Sequence, residues 1–339
     1  MKKIQRFCGV LLLVVFGLST LHAQTYDKLW KEVEQARKKS LPQTVIKLTD
    51  EIYRKGEREQ NAPQMLKAYM CREAYQQRLT PDSLYVTLTN MERWAQSEKN
   101  PVNKAILHSL LASEYADLMQ TSRRALFSRT SLEVEEAPAD VREWSTNLFA
   151  NKIDEHNRAS LQDSIRLLDT SSEKYVPFIV LEDGSRFYQH DLYHLLVSRA
   201  VSTYGTLGGF QMDSLMRNRI HAVYENMINA YRHRAGSEDA VLLCLLDYWD
   251  WKVSGGLSSE PYPTLKMRRE QVNKEYLQGL TDLMKEFGGR EVCAEVYIKK
   301  ASYLRTGMEG RSVIEALKLC DEGLKRYPSY KRINELKNI

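Results

Sequence analysis

The stretch 291-EVCAEVYIKKASYLRTGMEGRSVIEALKLCDEGLKRYP-328 decides how we interpret the fold. It predicts two helices that are separated by a break at Gly307 to Gly310. In the second helix, Ala316 and Gly323 lie seven residues apart, and Pro328 follows shortly after. Small residues at such positions allow two helices to approach closely, and a proline stops the second helix before another begins.

This spacing resembles helix B of a tetratricopeptide repeat, so the resemblance implies an all-α fold, a tetratricopeptide-like α-solenoid of antiparallel helix pairs. Other helix starts agree with that plan, because Pro42, Pro63, Pro81 and Pro101 each open a predicted helix at intervals of 21, 18 and 20 residues. Two such units make a pair of about 40 residues, which is typical of helical repeats. An irregular helical domain is the alternative, because helices of this length are ordinary.

The first 23 residues have the composition of a signal peptide. Three basic residues precede an apolar core from Phe7 to Leu18, and Ala23 is the small residue expected at the cleavage site. A core of about a dozen residues is too short to span a bilayer, which favours a cleaved signal over an anchor. Cys8 lies too early for lipid attachment after cleavage. We therefore expect export to the periplasm or the outer-membrane periphery.

After the signal peptide at 1–23, the sequence predicts three regions. An N-terminal helical repeat array covers 24–120, and an irregular, partly helical insertion covers 121–190. A C-terminal helical array covers 191–339 and ends in the tetratricopeptide-like pair. Within the insertion, Val176–Leu181 (VPFIVL) is the one stretch that we expect to be extended.

The charge balance gives no sign of a nucleic-acid partner. Removal of residues 1–23 takes away three basic and no acidic residues, so the formal net charge falls from +5 to +2. The remaining basicity is too weak to predict binding to a polyanion. We expect membrane contact only through the cleaved signal peptide.

No catalytic constellation, metal site or cofactor motif is expected. The strongest candidate is His190-Asp191-Leu192-Tyr193-His194, because two histidines four residues apart on a helix can bind zinc. However, Asp191 is well suited to cap the following helix, which would place His190 outside it, and no third ligand has a natural spacing. We therefore predict a non-catalytic protein.

A binding surface is predicted in the first array. Concave surfaces of helical repeats bind proteins or extended peptides through side chains of successive first helices. On this basis Tyr69, Arg72, Tyr75 and Gln76 could line a groove.

Four cysteines remain after the signal peptide, too few for a disulfide framework in a chain of this length. Cys293 and Cys320 lie on neighbouring predicted helices, so they could face each other and form a disulfide. Two buried thiols are the alternative, and spacing alone does not decide between them.

Five stretches after the signal peptide follow a recognisable order: YDKLWKEVEQARKKSLPQTVIKLTDEIY (26–53), LTPDSLYVTLTNMERWAQ (79–96), NPVNKAILHSLLASEYAD (100–117), APADVREWSTNLF (137–149) and DGSRFYQHDLYHLLVSRA (183–200). Their order resembles the N-terminal helical region of alpha-2-macroglobulin-family proteins of Bacteroides-type bacteria. The resemblance implies an accessory module of a protease-inhibitor protein, with macroglobulin-type domains following if the reading frame continues. No cysteine is followed by the x-Glu-Gln of the family's thioester, so no functional residue is carried over.

The alternative function is a free-standing helical binding protein at the outer membrane that takes a peptide or a glycan. The absence of a cysteine positioned for lipid attachment argues against it.

Overall fold

The computed structural model describes residues 26–128, 138–181, 191–210, 212–256, 265–306 and 312–339. Within these ranges the protein is all-α, as the sequence predicts, and no β-strand is formed. The one β-type pairing described is an isolated antiparallel bridge between Ser171 and Asp191. None of the described helices combines the length and the apolar character needed to cross a bilayer. The predicted signal peptide, His190 and the break at Gly307 to Gly310 lie outside the described residues.

The helices follow one another with short connections, several of which contain single 3-10 turns. Helix α1 spans 26–38, and the others are α2 (Pro42–Glu59), α3 (Ala62–Leu79), α4 (Ser83–Ser97), α5 (Pro101–Thr121), α6 (Arg123–Ser128), α7 (Thr146–Leu161), α8 (Ser164–Leu168), α9 (Leu192–Gly205), α10 (Asp213–Arg232), α11 (Glu238–Trp251), α12 (Leu265–Glu286), α13 (Ala294–Thr306), α14 (Val313–Arg326) and α15 (Glu335–Asn338).

The prolines begin helices because their missing N–H groups need no partner in a first turn. Pro42 and Pro101 are the first residues of α2 and α5, and Asn100 caps α5 by accepting a hydrogen bond of 2.9 Å from the N–H of Val102. The helix predicted to open at Pro81 begins two residues later: α4 starts at Ser83, after a turn, and no side chain caps it.

Most of the buried apolar side chains form one cluster that extends from Leu66 to Leu336. It crosses the predicted region boundaries at 120 and 190, because α7 contributes Phe149 and Ile153 where it packs on α5 and α9. A smaller cluster joins α1 to α2 and α3. Burial of apolar surface is the main force holding such helices together.

The stretch 176–181 is not extended, and this prediction is wrong. The chain turns here, and the Ile179 N–H donates to the carbonyl of Tyr175 at 2.9 Å. Phe178 and Ile179 pack against the core, while Val180 is exposed. Since no described strand is present to pair with it, an apolar segment gains more by burying part of its side chains in a turn.

Helices α13 and α14 pack closely, as the small residues predict. A Cβ atom at Gly323 would lie 2.6 Å from Leu336 Cδ1 and 3.3 Å from Tyr297 Cβ, so no larger residue fits without movement. Ala316 is also buried, and α14 ends two residues before Pro328.

Candidate functional site

A groove of about 540 Å³ lies between α11, α12, α13 and the C-terminal segment. Residues spaced three or four apart build its helical walls, because this spacing places side chains on one side of a helix. On α13 they include Glu295, Ile298, Ser302 and Thr306, and on α11 they include Leu243 and Asp247.

Glu295 joins the groove to the C-terminal segment. Its buried carboxylate accepts hydrogen bonds from Tyr330 Oη at 2.8 Å and from Arg332 Nη1 at 2.9 Å. Burial raises the pKa of Glu295, and the two donors oppose that effect. A buried acid with two donors holds this segment in place, so Glu295 serves the structure of the groove.

Asp250 is the second acid at this side of the molecule, and it also has partners. It accepts a hydrogen bond of 3.0 Å from Tyr276 Oη and forms an ion pair with Lys299. The Tyr276 ring meets the Tyr303 ring edge-on, with centroids 4.7 Å apart, and Tyr303 Oη donates to Asn273. The two tyrosines in the groove wall are therefore fixed at their hydroxyl ends.

Asp247 lines the same groove without such partners. Its carboxylate makes no hydrogen bond or ion pair with any residue that the structure describes. Burial raises the pKa of Asp247 to about 6, Lys299 opposes the rise and Asp250 adds to it. An acid that has lost water without gaining donors is poorly satisfied, and a cationic ligand would restore what burial removed.

A second cavity of about 620 Å³ lies between α4, α5, α7 and the segment before α7. Tyr85, Tyr115 and Trp144 line it, and the Tyr115 and Trp144 rings are stacked 5.6 Å apart. Glu92 is the acid in this cavity, and Arg142 lies over the Tyr85 ring at 4.9 Å. Unlike Asp247 in the C-terminal groove, Glu92 already has several donors.

Three donors converge on Glu92 Oε1. They are Tyr115 Oη at 2.9 Å, His156 Nε2 at 3.0 Å and Lys152 Nζ at 3.3 Å. Burial by itself would raise the pKa of Glu92, but the hydrogen bond from His156 and the other donors outweigh it and lower the pKa to about 2. Glu92 is therefore ionised, and its charge is balanced by the protein itself.

His156 also contacts a second histidine. Its Nε2 lies 3.0 Å from Glu92 Oε1, and its Nδ1 lies 2.9 Å from His108 Nδ1. Burial and the neighbouring His156 lower the pKa of His108 to about 4, so His108 is neutral near pH 7.

The four residues predicted to line a groove do not share one surface. Tyr69 is buried, and its hydroxyl donates to the carbonyl of Thr87 at 3.1 Å. Arg72 and Gln76 line a cavity of about 420 Å³ between α2, α3 and α4, whereas Tyr75 packs with the small cluster on the other side. Arg72 and Gln76 therefore share one cavity, whereas Tyr75 faces another side of α3, which has helix neighbours on both sides.

Cys293 and Cys320, for which the sequence left a disulfide and two thiols both open, are free thiols in the structure. Both are buried, and burial raises the pKa of each thiol. They correspond to the alternative of two buried thiols.

Asp191 caps α9, as predicted. Its Oδ1 accepts the N–H of His194 at 2.9 Å, and its Oδ2 accepts the Tyr231 hydroxyl at 2.8 Å. His194 is buried, and burial lowers its pKa. Across the described ranges, no group of three or more His, Cys, Asp and Glu side chains could hold a metal ion.

Sequence reasoning missed both acids. The signal for Asp247 was present, since Asp247 and Asp250 are three residues apart in the otherwise apolar AVLLCLLDYWDW and so face one side. No signal pointed to Glu92, because its partner His156 lies 64 positions away along the chain.

Comparisons with protein-family models, with curated proteins and with solved structures found no match for this chain.

Proposed function

We propose that this chain is a non-catalytic protein-interaction scaffold whose C-terminal groove binds an extended peptide segment of a partner protein. On this proposal, α11 to α15 act as a tetratricopeptide-like array, with α11, α13 and α15 on the inner side. Arrays of this kind bind extended segments by contacting them through successive inner helices.

The observation that supports the proposal is that one face of α13 and one face of α11 line a single groove with the C-terminal segment. The walls combine apolar side chains such as Leu246 and Ile298 with hydroxyls such as Ser302 and Thr306. A mixed lining of this kind suits a peptide, which presents alternating side chains and a polar backbone.

A photo-crosslinking amino acid at Ser302 would test this proposal. The matched control carries the same amino acid at Lys318, an exposed position on α14 outside the groove. We expect Ser302 adducts to map to one short segment of a partner protein and to decrease when that segment is added as a free peptide. Equal crosslinking from both positions, or adducts that no peptide displaces, would contradict the proposal.

The sequence alone supports two further proposals, export of the chain and its relationship to macroglobulin-like proteins. We propose that the chain is exported through residues 1–23 and is the N-terminal helical module of a macroglobulin-like protease-inhibitor protein. Cell fractionation tests export, since the mature chain should begin after Ala23 and occur in the periplasmic fraction. Macroglobulin-type β-domains encoded in the frame after Ile339 would support the kinship, whereas a stop codon with no neighbouring inhibitor gene would weaken it.

A further inference from the structure

We infer that the bound segment presents a basic side chain, lysine or arginine, to Asp247 beside the tyrosine pair of the groove. This inference rests on the proposed function and names the chemistry of the partner. Charge complementarity is the argument, because it decides which partner a groove accepts more than its area does.

The charged residues of the groove differ in whether the protein already satisfies them. Three acids and two bases line it, and both bases are engaged. Lys299 is paired with Asp250, and Arg332 lies between Glu295 at 2.9 Å and Glu335 at 3.8 Å. Asp247 is the lining acid that has no hydrogen bond or ion pair among the described residues, so the unmatched charge in the groove is negative.

Lys299 is the protein's nearest alternative partner for Asp247, and its position argues against that role. The ammonium group contacts the Asp250 carboxylate, which the Tyr276 hydroxyl also holds at 3.0 Å. A move of Lys299 to Asp247 would leave Asp250 with one neutral donor. The arrangement therefore keeps Asp247 open to a cation from outside.

The tyrosine pair favours a long basic side chain over a small cation. Tyr276 and Tyr303 line the groove with Asp247, and both rings are fixed by their hydroxyl contacts. Lysine and arginine place methylene groups along apolar surface while the charged end reaches a carboxylate. Aromatic faces also attract cations, which adds to the carboxylate's effect.

The test uses the full chain and four pools of seven-residue peptides. The central position is lysine, arginine, norleucine or glutamate, and the other positions are mixtures of alanine, leucine, serine and tyrosine. Norleucine keeps the methylene chain without the charge. The measurement is the amount of each pool retained by the immobilised protein, for the wild type and for the variants Asp247→Asn and Asp321→Asn. Asp321 is an exposed acid on α14 and serves as the matched control.

We expect the wild type to retain the lysine and arginine pools about tenfold more than the norleucine pool, which corresponds to one well-placed, partly buried ion pair. In Asp247→Asn this ratio should fall close to one, while Asp321→Asn should keep it. Equal retention of the pools by the wild type, or an unchanged ratio in Asp247→Asn, would overturn the inference.

A third variant separates this inference from the proposed function. Ser302→Trp places a large side chain in the groove, and thermal melting checks that the variant is folded. If the wild type retains all four pools equally and Ser302→Trp retains none of them, the proposal that the groove binds peptides stands. Only the inference that the peptide carries a basic side chain is then rejected. Retention that is no higher on the wild type than on Ser302→Trp would contradict both.

Discussion

Two partly buried acids in this molecule, Glu92 and Asp247, have opposite environments. Glu92 lies in the cavity beside α4 and receives three donors on one oxygen, and its pKa falls to about 2. Asp247 lies in the groove beside α11 without a donor among the described residues, and its pKa rises to about 6.

The number of donors around each carboxylate distinguishes a structural acid from one that can recognise a ligand. Burial removes water from both carboxylates and disfavours their charged forms. The protein replaces that water around Glu92 with its own donors but leaves Asp247 without a replacement. A ligand that supplies a cation would gain little at Glu92 and more at Asp247.

The largest expected effect is that of Glu92→Ala on folding. The substitution leaves the Tyr115 hydroxyl and the His156 ring without their acceptor, and we expect a loss of about 2–4 kcal/mol in the free energy of unfolding. Urea denaturation measures it, and Asp247→Ala is the matched control, which should lose no stability at pH 7 because it removes a buried charge that has no donor among the described residues. Similar losses in the two variants would remove the distinction between the acids.

Gly279→Ala should come next, because it disturbs the packing that shapes the groove. A Cβ atom at Gly279 would overlap the Trp249 ring, which brings α12 against α11. We expect a loss of about 1–3 kcal/mol from overpacking, measured by urea denaturation. Gly205→Ala is the control, since nothing lies within 4 Å of its Cβ position. A neutral Gly279→Ala would show that the two helices are not in close contact.

Gly323→Ala should lower the free energy of unfolding by a smaller amount, about 1 kcal/mol. The nearest atom to the added Cβ is the end of the Leu336 side chain, which can move, while Tyr297 Cβ at 3.3 Å is less free. Differential scanning calorimetry would detect a lower melting temperature. An unchanged or higher melting temperature would argue against close packing of α13 with α14.

The difference in stability between Asp247→Asn and the wild type should depend on pH. Because the pKa of Asp247 is raised above its usual 3.8 to about 6, its ionisation lowers stability as pH rises through 6. Asparagine lacks that penalty, so the variant should be more stable than wild type at pH 7 and lose this advantage as pH falls to 4. Unfolding at several pH values measures it, and a constant difference would contradict the expectation.

At the cavity around Glu92, acid should lower stability, whereas at Asp247 it should raise stability. The pKa of Glu92 is lowered from 4.5 to about 2, so the stability it provides is lost as pH falls from about 4.5 towards 2. The pKa of His108 is lowered from 6.5 to about 4, and stability falls over that range as well, because the unfolded chain binds the proton more readily. In a Glu92→Gln variant, the free energy of unfolding should decrease less than in the wild type as pH falls from about 4.5 towards 2, measured by unfolding at several pH values.

Local rules predicted the helices well because their signals lie within a few residues. Asn100 with Pro101, and Asp191 before Leu192, begin helices where capping chemistry expects them. The start predicted at Pro81 is wrong by two residues because a proline turn can precede a helix as readily as open it. On α3, Tyr69 and Tyr75 lie apart from the cavity of Arg72 and Gln76, because their surroundings depend on which helices cover each side, and periodicity does not reveal that.

The candidate site was less predictable than the helices for a similar reason. Asp247 and Tyr303 are 56 positions apart in the sequence and meet only when α11 and α13 line one groove. The small residues at Ala316 and Gly323 indicated a close helix pair, yet they carry no information about what the neighbouring surface binds. The groove is built by packing between residues that are far apart in the sequence, and the spacing of residues along the chain does not predict that packing.

Carbon-detected NMR titration of the carboxyl groups tests the contrast most directly. The variants Asp247→Asn and Glu92→Gln assign the two signals. We expect midpoints of about 6 for Asp247 and about 2 for Glu92, and addition of a lysine-centred peptide pool should lower the Asp247 midpoint. Midpoints near the ordinary values of 3.8 and 4.5 would contradict the account, because the two acids would then have equivalent surroundings.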